Sequence, residues 1–118
     1  MRPLKDSQIR YILSKRWKLY QLNYEELTTG EKAEYNCILK ALNGLEVDEL
    51  KFIATKYYTD AGVKKGIFKA ISTKEVSEKL GVPVGTALKI EFRAMKNFKE
   101  TYSRLLKEAD TKGYDIKQ

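Results

Sequence analysis

The stretch that decides the fold runs from residue 72 to residue 99, STKEVSEKLGVPVGTALKIEFRAMKNFK. Ser72 with Glu75 three residues later is a capping box: the hydroxyl accepts from an early helical amide and the glutamate reaches back to the cap. The helix it opens turns Val76 and Leu80 inward. Gly81 ends that helix, because a residue without a Cβ takes the left-handed conformation a tight turn needs. Val82 plugs the turn, and Pro83 cannot continue a helix but suits the start of the next one. A long helix then follows over about 84–109. A short helix, a glycine-bearing turn and a second helix make the layout of a helix-turn-helix. In that motif the turn holds the second helix proud of the fold, where it can enter a major groove.

Outward from this stretch the apolar spacing stays helical. Glu46, Asp48 and Glu49 crowd the first turn of a helix expected over 46–58, where the helix dipole favours negative charge, and Leu50, Ile53, Ala54 and Tyr57 form its core face. Thr28 and Glu31 form another capping box ahead of a helix over 31–43, whose stripe includes Ala33, Cys37, Ile38, Ala41 and Leu42; Asn43-Gly44 stops it. Residues 21–30 read as a loop. At the N-terminus, Ile9, Ile12, Leu13, Trp17 and Tyr20 define one face of a helix over 4–20. Phe98, Tyr102, Leu105, Leu106 and Ala109 prolong the stripe of the last helix, and Gly113 marks its end. Each of these two terminal stripes needs a partner, either the other stripe within the chain or a second subunit in a two-fold dimer, and the sequence does not decide between them. Residues 59–71 read as a basic loop closing in a short helix over Ile67 to Ile71, or as a hairpin. The expected organisation is all-α: a helical bundle with a helical arm over 1–44, the helix-turn-helix domain with its long C-terminal helix over 45–110, and a tail over 111–118.

Composition narrows the function. With 118 residues and 42% hydrophobic content the chain can bury one core. There is no His, which removes the usual general base and the commonest zinc ligand, and Cys37 alone makes neither a disulfide nor a cysteine metal site. Buried in an apolar stripe with no His to activate it, Cys37 reads as an inert thiol. No paired-carboxylate or phosphate-loop constellation is recognisable, so no catalysis, cofactor or metal is expected. The net charge of +7 favours polyanionic partners, nucleic acid before acidic membrane. Residues 1–20 carry six bases and one acid, and 72–108 eight bases and five acids, so the basic character sits at the two ends. No apolar run approaches the roughly 18 residues of a membrane span, and Gln8, Arg10, Ser14, Lys15 and Arg16 interrupt any signal core. The expected location is the cytoplasm.

The segment 72–99 resembles region 4, the C-terminal promoter-recognition region of bacterial sigma-70-type sigma factors. The shared features are the early Glu75-Val76 pair, the run Glu78-Lys79-Leu80-Gly81-Val82, the pair Ile90-Glu91 and Ala94-Met95-Lys96. Residues 42–58, LNGLEVDELKFIATKYY, resemble the helix preceding that motif. The likeness covers about 42–99, and nothing here resembles the region of a sigma factor that melts promoter DNA. In size and layout the chain is similar to small phage-encoded transcription regulators of the ArpU and RinA families.

The resemblance implies a DNA-binding transcription regulator, a phage or prophage activator acting at promoters with RNA polymerase in a bacterial host cell. It implies phosphate contacts from Ser72, Thr73 and Lys74, base reading from Val84, Gly85, Leu88 and Lys89, and a further phosphate contact from Arg93. From charge alone, Lys79, Lys96 and Lys99 join the phosphate set. The start of the reading helix has no Arg, the commonest specific reader of guanine, so the usual minus-35 hexamer is not expected to be read in the usual way. Either readout uses Thr86, Lys89, apolar contact to thymine methyls and DNA shape, or the surface grips protein instead. Two alternatives accompany the regulator: a phage small terminase subunit, and an adaptor that binds RNA polymerase or a sigma factor without touching DNA.

Overall fold

A computed structural model of the chain describes residues 4–57 and 70–111, with side chains to residue 109. Every regular element among the described residues is helical. The elements are α1 (Asp6–Tyr11), a π-helical segment (Ile12–Arg16), α2 (Trp17–Leu22), a 3₁₀ turn (Tyr24–Glu26), α3 (Thr29–Asn43), α4 (Val47–Tyr57), α5 (Thr73–Leu80) and α6 (Val84–Thr111).

The helix starts follow local chemistry. Thr28 Oγ1 accepts from the Glu31 amide at 3.1 Å while Glu31 Oε1 accepts from the Thr28 amide at 2.9 Å, so α3 begins right after the cap rather than at residue 31. At α4, Glu49 Oε1 accepts from the Glu46 amide at 3.0 Å, and the acids of the first turn face the positive end of the helix dipole. The N-terminal segment departs most from the expected single helix over 4–20. A π-helical turn at Ile12–Arg16 divides it, and a 3₁₀ turn occupies 24–26 within the expected loop. A π turn inserts a residue into the i→i+4 ladder and swings every later side chain around the axis. Ile9, Ile12 and Leu13 are therefore buried before and within it, whereas Trp17 and Tyr20 beyond it are only partly covered. The expected basic loop over 59–71 and the stop at Gly113 lie almost wholly outside the described residues.

α6 is the spine. α1, α3, α4 and α5 all pack against it. One continuous core runs from Leu4 to Ala109 and includes Ile38, Phe52, Phe98, Tyr102 and Leu106, so the arm over 1–44 shares its interior with the helices that follow. Burying a side chain of this size contributes about 2 kcal/mol. The N-terminal and C-terminal stripes meet: Leu4, Ile12, Tyr102 and Leu106 line one cavity between them, and Lys99 Nζ lies 3.5 Å from Asp6 Oδ1. Cys37 is buried, as expected.

One polar cluster penetrates this core. Glu34, 1% exposed, accepts from Arg16 Nη1 at 2.8 Å and from the hydroxyls of Tyr20 (3.0 Å) and Tyr102 (3.2 Å). Those bonds tie the N-terminal segment, α3 and α6 to one carboxylate. Burial, reinforced by the Glu34 charge, pushes both phenols well above the ordinary tyrosine range. Burial works against the Arg16 cation, but Glu34 beside it more than offsets this, and the guanidinium is held more firmly protonated.

Candidate nucleic-acid interface

α5 and α6 meet across Gly81, Val82 and Pro83. Gly81 sits at φ 69°, ψ 32°, the left-handed region that favours glycine. Its amide donates to the Glu78 carbonyl at 3.3 Å and the Val82 amide to the Ser77 carbonyl at 3.0 Å, which together make the Schellman pattern. Val82 turns into the core, as the plug of the turn should. α5 is capped by Ser72, whose Oγ accepts from the Glu75 amide at 3.1 Å.

A second set of bonds fixes how α6 leaves this turn. Lys56 Nζ, at the end of α4, donates to Thr73 Oγ1 at 3.0 Å and to Glu91 Oε2 at 2.8 Å. Thr73 Oγ1 in turn lies 3.3 Å from both Glu91 oxygens. The start of α5 and the second turn of α6 are thus bonded to the same ammonium. On the other flank, buried Glu49 accepts from Asn97 Nδ2 at 3.0 Å, and Arg93 Nη2 donates to Asp48 Oδ2 at 2.7 Å. That hydrogen bond and its charge draw the Asp48 carboxyl below the usual range and raise the Arg93 guanidinium.

The sequence-named residues divide accordingly. Val84, Gly85, Thr86, Leu88 and Lys89 all lie exposed on the first turns of α6, while Ala87 and Ile90 between them face the core. Lys74 on α5 and Lys96 on α6 are exposed too, as is Lys79, and none of the lysines 74, 79, 89 and 96 has an ion-pair partner among the described residues. Ser72 is exposed, but its hydroxyl is committed to the cap. Thr73 is half-buried and bonded inward, and Arg93, although exposed, is paired with Asp48 at the acidic start of α4. Lys99 is shared with Asp6.

Sequence reading missed Phe92, the most exposed large apolar side chain of α6 at 72%. The signal was available: Val84, Leu88 and Phe92 recur at four-residue intervals, a second apolar line distinct from Ala87, Ile90, Ala94 and Phe98. It also missed the Arg93–Asp48 pair, since residues 45 apart carry no local signal. The chain matches no family model, no curated protein and no solved structure.

Proposed function

We propose that the chain is a duplex-DNA-binding transcription regulator of the helix-turn-helix class, with the leading end of α6 as its reading element. The supporting observation is an exposed helix end, set by the left-handed turn at Gly81, that carries Lys89 and is accompanied by lysines 74, 79 and 96, which have no ion-pair partner among the described residues. Among the described residues of the N-terminal arm, α1 lies toward Lys99, Tyr102 and Leu106, the other half of α6. Lys89 reads base edges, while Lys74, Lys79 and Lys96 neutralise phosphates. Action at promoters alongside RNA polymerase belongs to the proposal through the resemblance to sigma region 4.

Selection of bound duplexes from genome fragments at two salt concentrations tests the reading. Three phosphate-contacting lysines give an affinity that falls with a log–log salt slope of about −3. Lys96→Ala weakens every duplex alike and reduces the slope by about one, whereas Lys89→Ala relaxes sequence preference. Enrichment of no fragment, with no salt-dependent shift, rejects the proposal.

A further inference from the structure

The apolar line along the front of α6 lies outside the core that the described residues form. Val84, Leu88 and Phe92 are 43%, 51% and 72% exposed, and their four-residue spacing stacks them on one side of the helix. Beside them stands Gly85, in the first turn. A Cβ built there would meet nothing within 4 Å, and its φ is not positive. Neither internal packing nor backbone conformation requires glycine at this position, although in a helix it is less favourable than alanine. A glycine unexplained from inside, next to an exposed apolar ridge, fits an external surface that approaches the helix backbone closely.

We propose that this ridge reads the 5-methyl groups of thymine in the major groove, with Gly85 letting the helix settle deeply enough to reach them. The inference rests on the duplex-DNA reading above and deepens it by naming the base. Thymine is the one standard base that places a methyl in the major groove, where apolar side chains, Phe among them, contact it. The groove admits a helix. The ridge stands out from an exposed helix face, and the cavities that the described residues line, one beneath α1 and one between α3 and the end of α6, include none of its side chains. It therefore enters a trough rather than receives a ridge. Charge selects among troughs: Lys89 and Lys96 lie exposed on the same helix, so a second copy would bring lysine against lysine, while a polyanion is drawn in. The absence of an arginine reader from this helix start fits a site recognised more by methyls than by guanine edges.

The test uses the tightest duplex from the selection, prepared with thymine and again with deoxyuridine, which differs only by the missing methyl. Wild type is expected to lose about fourfold in affinity for each contacted methyl removed, the transfer value of one methylene-sized group. Leu88→Ala and Phe92→Ala, both at exposed positions, should keep the wild-type melting temperature, bind the thymine duplex more weakly, and discriminate thymine from uracil less. Gly85→Ala should weaken both duplexes by holding the helix away. Equal wild-type affinity for the two duplexes, with sequence preference and salt dependence intact, overturns the methyl reading and leaves DNA binding standing. Failure to bind any duplex overturns both.

Discussion

At the scale of single residues, the energetic weight lies on Glu34. A carboxylate that is 1% exposed is tolerated only because a cation and two hydroxyls satisfy it. Arg16→Met keeps much of the stem's packing but leaves the charge without its cation, a loss of about 3 kcal/mol in urea denaturation. Adding Glu34→Gln to that variant should recover part of the loss, because the neutral amide is cheaper to bury; no recovery would mean the pair contributes through shape alone. The same cluster makes the protein alkali-sensitive. Burial raises the Tyr102 and Tyr20 phenols, and raises that of Tyr57 to about 12. Each therefore contributes stability in full below about pH 10, where the unfolded tyrosine ionises. Above that pH the unfolded chain releases protons first, and stability falls as pH climbs toward the folded values. Tyr102→Phe should flatten this alkaline decline in denaturation midpoints measured across the range. An unchanged slope would show that Tyr102 ionises as freely folded as unfolded.

At the scale of elements, the turn between α5 and α6 isolates backbone conformation from packing. Gly81 holds a positive φ, yet a Cβ there meets nothing, so Gly81→Ala should cost only the left-handed penalty of about 1–2 kcal/mol. Gly85→Ala, without a positive φ, should leave stability equal or slightly raised. A loss from both substitutions alike would point to side-chain crowding in place of backbone geometry. This turn was also the most legible part of the chain. Ser72, Gly81 and Pro83 act through their own backbone or the next few residues, and such effects are written locally. The cap of α3 and the acid-rich first turn of α4 were legible for the same reason. The π turn at Ile12–Arg16 was not, because apolar residues at three- and four-residue intervals look the same whether the ladder is α or briefly widened. Nor was the division within the site. Thr73 and Arg93 are phosphate contacts by resemblance, and only the packing of α4 against α5 and α6 brings Lys56 to Thr73 and Asp48 to Arg93. The set Val84, Gly85, Thr86, Leu88 and Lys89 was named mainly through the resemblance to sigma region 4, and it lies exposed because it is the complement of the core stripe Ala87, Ile90 and Ala94.

At the scale of the whole molecule, α6 has two halves with different tasks and one continuous rod joining them. Twenty-eight residues at 1.5 Å each span about 42 Å, close to the 45 Å long axis of the protein. The front half presents Lys89 and the apolar ridge; the rear half, through Phe98, Tyr102 and Leu106, is covered by α1 and α3. The arm over 1–44 thus supplies the interior that keeps the rod fixed. Ile9, Ile12, Leu13, Ile38, Ala41 and Leu42 are all buried, and removing them would expose the rear of α6 along its length. A fragment comprising residues 45–118 is therefore expected to lack a cooperative thermal transition by circular dichroism and to self-associate through Phe98, Tyr102 and Leu106. Adding back a peptide of residues 1–44 should restore a transition, because the missing surface is complementary and not covalently required. A fragment that melts cooperatively as a monomer would show that α4, α5 and the front of α6 form a self-sufficient unit. The arm would then be an appendage whose contact with Glu34 and Tyr102 adds stability without creating the fold.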